Sequence, residues 1–335
     1  MKRKNKLIKI ITIIIIIILL ATYFIGNYFV NFALVPNQGG KNRKKVTEEI
    51  PDGVSKKDSK IEKIIKKNKN ISAKSAEEFI HKERKNTKEI SISSQDGFRL
   101  VGHKYLQENP TDKWMVIVHG YQSSENESDK LAYRFYSQGF NILTYNQRAT
   151  KPSEGNYITM GIKESDDLIL WIEAIKKEYP NAEFVLHGTS MGSATVLLAS
   201  GKENLPKEVK AIIADCGYSS VWDIFSSELK QRFNLPPFPI LHMAGLVAIP
   251  KAGINLMSNE GNVAEHVEKS TTPTLFIHGT ADDFVPYPMV NKLYDALKIK
   301  EKDKFIVEGA GHAEAQYVDP DKYFGAIEEF LKGKI

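Results

Sequence analysis

The stretch Glu183 to Ser200, EFVLHGTSMGSATVLLAS, constrains this chain more than any other. Phe184–Val185–Leu186 is a short apolar run that reads as a buried strand. Gly188, Thr189, Ser190, Met191 and Gly192 come next, and Ala194 to Ala199 reads as a buried helix. A G-x-S-x-G between strand and helix is a nucleophile elbow. Such a turn holds a serine in a strained backbone conformation with its hydroxyl above the edge of a sheet. Gly188 and Gly192 leave the room that a Cβ would fill. The bare pattern arises by chance in roughly one chain of this length in ten, so its weight comes from the strand and helix around it. A reactive serine also needs a base and an orienting acid from elsewhere in the chain.

The flanking sequence predicts the sheet that such a turn requires. Glu89–Ser93 and Phe98–Leu106 alternate polar and apolar residues about Gln95–Asp96–Gly97, a hairpin pattern. Buried strands are expected at 114–118, 140–145, 184–186, 209–214, 274–277 and 304–307. Helices are expected at 131–138, 165–178, 287–297 and 317–332. Strands alternating with helices mean an α/β fold, with a mostly parallel sheet covered on both faces. Sites in such folds lie on the loops after the strands' carboxyl ends. Residues 219–268 break the alternation. FNLPPFPILHMAGLVAIPKAGINLM, within that segment, is apolar, proline-rich and unlike a strand. Between two core strands it reads as a small cap over the sheet edge, its apolar face lining an acyl or aromatic pocket or simply packing on the core.

After a nucleophile elbow the order serine, acid, histidine is expected. His312, in EGAGH, follows one core strand, and Asp282, in HGTADDFVP, follows another. His312 suits the base and Asp282 the acid that holds its tautomer. Asp283 adjoins Asp282, and Asp215 also follows a core strand, so spacing alone leaves three candidate acids. The backbone N–H groups of Met191 and of Tyr121, after His119–Gly120, are candidate donors to an oxyanion. His119, His187 and His278 each precede a glycine at a strand end and read as structural residues beneath the site. No H-x-H or H-E-x-x-H occurs, and Cys216 is the one cysteine. No metal, no cofactor and no internal disulfide is therefore expected.

The N-terminus sets a second constraint. Lys2, Arg3, Lys4, Lys6 and Lys9 precede an apolar run from Ile10 to Val30, about the 20 residues that span a bilayer. A cleaved leader shares the basic front but has a shorter apolar core, and no small-x-small site stands near Asn31–Ala33. The reading is an uncleaved anchor. The near basic cluster keeps residues 1–9 cytoplasmic and sends the bulk of the chain outside the cytoplasm. Lys41, Arg43, Lys44 and Lys45, farther along, pull weakly the other way. Residues 31–87 read as a lysine-rich stalk with helical pieces, one opened by a Ser75-x-x-Glu78 capping box. Residues 88–335 form the globular domain. Residues 1–74 carry 17 Lys/Arg against 5 Asp/Glu, a net +12; the whole chain is +5, which leaves −7 for residues 75–335. The basic balance belongs to the anchor and stalk, so nucleic-acid binding is not expected of the domain.

Together, VIVHGY at 116–121, GTSMG at 188–192, DCGYSS at 215–220, HGTADDFVP at 278–286 and GAGH at 309–312 resemble the alpha/beta-hydrolase superfamily. The resemblance is greatest to the membrane-anchored cell-surface hydrolases of low-GC Gram-positive bacteria, grouped with serine aminopeptidase-like proteins. It covers residues 88–335. The acid of the family's HGxxDxxVP falls on Asp282, which the resemblance favours over Asp283. Many relatives carry D-x-R-G-x-G-x-S where this chain has NQRATKPSEG at 146–155. Arg148 and Ser153 match, but Asn146 stands for the acid, and Ala149 and Lys151 for glycines. The motifs and the resemblance lead to the expectation of a membrane-tethered serine hydrolase, a carboxylesterase acting on a small-molecule or lipid-like ester. A peptidase or an acyltransferase would use the same residues. A non-catalytic binding module on this scaffold would have no need of all three.

Overall fold

The computed structural model describes residues 2–39, 51, 53–56, 58–83 and 87–335. Eight strands form one sheet: β1 Thr87–Ser93, β2 Arg99–Tyr105, β3 Lys113–Val118, β4 Asn141–Tyr145, β5 Glu183–Thr189, β6 Val209–Asp215, β7 Thr274–Gly279 and β8 Lys302–Val307. Their order is β1-β2-β4-β3-β5-β6-β7-β8. The hairpin β1–β2 and the β2–β4 pair are antiparallel, and every later pair is parallel. Strands buried on both faces explain the unbroken apolar runs. In β3, Trp114, Val116 and Val118 enter one core, while Met115 and Ile117 enter the core on the opposite face. Helices α3 Glu125–Ser137, α4 Ile162–Glu178, α5 Met191–Ser200 and α9 Pro288–Ala296 cover the faces together with the closing helix.

The predicted closing helix divides. Asp319 accepts from the Lys322 N–H at 3.2 Å and caps a fresh start at Pro320, separating α10 Ala315–Val318 from α11 Pro320–Leu331. Proline cannot supply the N–H that an unbroken helix needs. The segment 219–268 is helical, as α6 Val221–Phe233, α7 Pro237–Ala252 and α8 Val263–Lys269. The two prolines at 236 and 237 separate α6 from α7, and the pair bends by 120° over the sheet edge.

Upstream, two elements differ from expectation. A single helix, α2, runs Ser59–Glu83, so Ser75 lies in its interior and does not cap it. Helix α2 packs on the domain. Phe79 meets Tyr105 and Tyr136, and Asn68 donates to the Tyr317 carbonyl at 2.9 Å. The Lys41–Lys45 cluster lies outside the described residues.

Helix α1 spans Lys2–Leu34, beyond both ends of the predicted span, and is a candidate membrane-crossing helix. Its apolar first part has no buried residue from Leu7 to Phe24, whereas Gly26, Val30 and Leu34 are buried. At the crossing with α7 a Cβ on Gly26 would stand 2.3 Å from the Met243 carbonyl oxygen, so only glycine permits this approach.

Candidate active site

The elbow is built by exclusion of side chains. A Cβ on Gly188 would lie 2.2 Å from the Gly192 carbonyl oxygen, and one on Gly192 would lie 2.1 Å from that of Val118. Between them Ser190 has φ 57° and ψ −116°, a conformation that costs on the order of 1–3 kcal/mol in a non-glycine residue. The Ser190 N–H donates to the Asp215 carbonyl at 2.8 Å, and the Ser190 carbonyl accepts from Ala194 at 3.0 Å. The side chain stands at the end of β5, where α5 begins with Met191.

His312 lies on the loop after β8, and Asp282 on the loop after β7. The His312 Nε2 is 2.8 Å from Ser190 Oγ, and its Nδ1 is 2.8 Å from Asp282 Oδ2. A carboxylate only accepts, so Nδ1 carries the proton and Nε2 is left to accept from the serine hydroxyl. Asp282 is fully buried, and its other oxygen accepts from the Phe284 and Val285 N–H groups at 3.0 and 2.9 Å. Burial alone would raise its pKa, but His312, His278 and these donors outweigh it and hold the carboxyl below its ordinary value. Phe284 lies against the His312 ring, centroids 4.8 Å apart.

The other candidate acids occupy different positions. Asp283 lines the mouth of the cleft. Asp215 is wholly buried and accepts from the Tyr323 hydroxyl at 2.9 Å, and that hydroxyl in turn meets His187 Nε2 at 2.9 Å. Burial raises Asp215 to about 7. The three histidines at strand ends all make structural bonds. His119 Nδ1 donates to the Gly120 carbonyl at 2.8 Å, and Nε2 accepts from the Gln147 N–H at 3.0 Å. Burial lowers His119 to about 4, so it is neutral and clamps the loop carrying Tyr121. His278 Nε2 meets the Val285 carbonyl at 2.9 Å, which fixes the turn bearing Asp282.

Tyr121 and Met191 flank Ser190. A Cβ on Gly120 would be 3.4 Å from Ser190 Cβ, so the backbone leading to the Tyr121 N–H passes directly beside the serine. Met191 opens α5, where the first N–H groups have no partner within the helix. Cys216, Asp282 and His312 present ligand atoms within 4.8 Å of one another. Two of these are already bound to each other, and burial raises the Cys216 thiol well above its usual value, which opposes a thiolate ligand. The loop that departs from the family pattern is closed by its own bonds. Ser153 Oγ donates to the Asn146 carbonyl at 2.6 Å, Asn146 Nδ2 donates to Glu125 at 3.0 Å, and Arg148 pairs with buried Asp167 at 2.6 Å. Ala149 takes φ 60°, in the left-handed region that favours glycine.

Sequence reasoning missed three contributors to the cleft. Arg232 reaches it from the cap, Phe284 covers the imidazole, and α1 supplies an adjoining wall. Only Phe284 had a local signal, its place two residues after Asp282.

The fold and this arrangement of loops are those of the alpha/beta hydrolases. A family model described as serine aminopeptidase, S33, matches residues 109–232. Among sequence relatives, YqkD of Bacillus subtilis is 27% identical over 241 residues, which is 72% of this chain and 77% of that protein. YNL320W of Saccharomyces cerevisiae, described as a membrane protein, is 25% identical over 251 residues, covering 72% of this chain and 78% of the yeast protein. Among solved structures, the Pyrococcus furiosus esterase Pf2001 superposes with a TM-score of 0.59 at 26% identity, covering 73% of this chain and 91% of that one.

Proposed function

We propose that the chain is a membrane-anchored serine hydrolase, a carboxylesterase working through an acyl-enzyme on Ser190, with its domain outside the cytoplasm. The observation that carries this reading is His312 bridging Ser190 Oγ and Asp282 at 2.8 Å on both sides. Ser190 Oγ attacks the ester carbonyl as its proton passes to His312 Nε2. The oxyanion accepts from the Met191 and Tyr121 N–H groups. As the C–O bond to the alcohol breaks, His312 returns the proton to the leaving oxygen. Water then attacks the acyl-enzyme, giving up a proton to His312, and Ser190 recovers one as the acid departs. Asp282 stays ionised and stabilises the imidazolium.

An ester is favoured by the apolar space beside the cleft and by the esterase among the similar structures. The aminopeptidase description of the matching family supports a peptidase as a second reading. The apolar run of α1, preceded by five basic residues, supports the anchor and its orientation. The test is turnover of p-nitrophenyl esters from acetate to palmitate by the full chain in lipid nanodiscs, beside Ser190→Ala and His312→Ala. Loss in both variants supports the reading. Failure to turn over any ester, with N-terminal aminoacyl anilides hydrolysed instead, selects the peptidase. Protease protection of the domain on intact cells would overturn the orientation.

A further inference from the structure

A membrane anchor need only tether, yet the end of α1 is built into the domain next to the cleft. Phe29, Val30, Phe32, Ala33 and Leu34 form one wall of an apolar slot under the cap. Leu241 and Ala244 of α7 line it as well. Tyr121, Phe284 and Arg232 line both this slot and the cleft that holds Ser190 and His312, so the two spaces adjoin. The slot is the smaller space, with a cavity volume of about 70 Å³ against about 450 Å³ for the cleft, and its walls are almost wholly apolar.

Several bonds fix α1 in this position. The Tyr121 hydroxyl donates to the Ala33 carbonyl at 2.7 Å, so the residue proposed to supply an oxyanion donor is tied to the anchor. The Ile158 N–H donates to the Leu34 carbonyl at 2.8 Å. Lys251 of α7 donates to the side chains of Asn27 and Asn31, at 2.6 Å each. With the close crossing at Gly26, these contacts hold α1 from residue 26 onward against the cap.

The length of the free part then sets the height of the domain. The part of α1 that stands clear of the domain, Leu7 to Phe24, is 18 residues long and has no buried residue. At 1.5 Å per residue this spans about 27 Å, against a hydrocarbon core of roughly 30 Å. The anchor therefore has no spare length, and the cap must rest on the bilayer. Its own surface agrees: Phe238 of α7 is 70% exposed, and Leu246 and Ile249 are exposed on the same helix that crosses α1 at Gly26. Apolar side chains continuous with a membrane span are suited to the acyl boundary.

We propose that the slot receives the linear acyl chain of a membrane-resident ester, and that α1 is a substrate-binding wall as well as an anchor. The inference rests on the serine-esterase reading and adds the substrate class to it. Chain burial in the slot sets the acyl carbonyl at Ser190, while the alcohol part remains in the larger, more polar cleft beside Arg232 and Gln122.

The test uses the full chain in phosphatidylglycerol/phosphatidylcholine nanodiscs and fluorophosphonates that differ only in their alkyl group: ethyl, octyl, hexadecyl and cyclohexylmethyl. Labelling joins Ser190 Oγ to phosphorus and expels fluoride. The wild type should label faster with octyl or hexadecyl than with ethyl. Ala33→Phe narrows the slot and should cut that preference by about tenfold, the value of two methylenes denied burial. Phe29→Ala widens it and should admit the cyclohexylmethyl probe, a gain that misfolding cannot produce. Should Ala33→Phe lose labelling by every probe, Phe29→Ala alone decides. Robust labelling with one chain-length profile in all three proteins would overturn the slot while leaving the serine reading intact. A folded wild type that labels with no probe would overturn both.

Discussion

Replacing Asp282 by Asn tests the chain of bonds through His312 most directly. The substitution is nearly isosteric. The Asn carbonyl oxygen still accepts from the Phe284 and Val285 N–H groups, now made at 3.0 and 2.9 Å, so the loop keeps its shape. The amide nitrogen then faces His312 Nδ1 across the present 2.8 Å contact, and it only donates. To accept, His312 must move its proton to Nε2, which then faces Ser190 Oγ with a hydrogen and no lone pair. The wrong tautomer in a triad costs about 10⁴ in kcat, ~5 kcal/mol at the transition state. Loss of one charge-assisted bond should lower Tm by only roughly 5 °C. Asp282 is held below its ordinary value, so its share of stability is complete above about pH 4 and fades as pH falls through the folded value. The Asn variant should lack that acid dependence. The assay pairs steady-state ester hydrolysis with thermal melts at pH 4 to 8, beside Asp283→Asn and Asp215→Asn. A folded Asp282→Asn within about tenfold of wild-type kcat would refute the tautomer argument, as would an equal loss in Asp283→Asn.

Gly188→Ala sets a Cβ 2.2 Å from the Gly192 carbonyl oxygen, backbone against backbone, and should cost about 3 kcal/mol or more; a melt unchanged from wild type would contradict the elbow packing. Asp129 is buried between β4 and α3, and desolvation with the nearby Glu125 charge raises it to about 7. The folded state thus holds a proton that the unfolded chain releases near pH 4, so stability falls as pH rises from about 4 to 7. Asp129→Asn keeps acceptors for Tyr105 and Thr144 and should raise stability at pH 8 by at most ~4 kcal/mol, with little effect at pH 4. Equal shifts at both pH values in denaturant titrations would show that Asp129 does not titrate there.

The α/β alternation, the elbow, and the placing of Ser190, Asp282, His312, Tyr121 and Met191 at one sheet edge were all legible from the chain in order. Each rests on local signals: apolar runs of strand length, glycines where a Cβ cannot fit, and polar residues immediately after a strand. In a parallel sheet those signals suffice, because every strand's carboxyl end lies on the same edge. Which acid meets His312 was not local. Asp215, Asp282 and Asp283 share that edge, and only the twist of the sheet and the turn held by His278 bring one carboxylate to Nδ1. The break at Asp319–Pro320 carried a readable signal in its proline. The single helix Ser59–Glu83 did not, since packing against Tyr105 and Tyr136 overrides a weak capping pattern at Ser75. The sequence by itself determined that the chain has an apolar span and a hydrolase sheet, since periodicity and glycine placement are properties of neighbours along the chain. Only the tertiary structure decided that the end of the span lines the space beside the serine. Phe29 and Ala33 stand more than 150 residues from Ser190, and nothing along the chain encodes a contact made by two surfaces closing on each other.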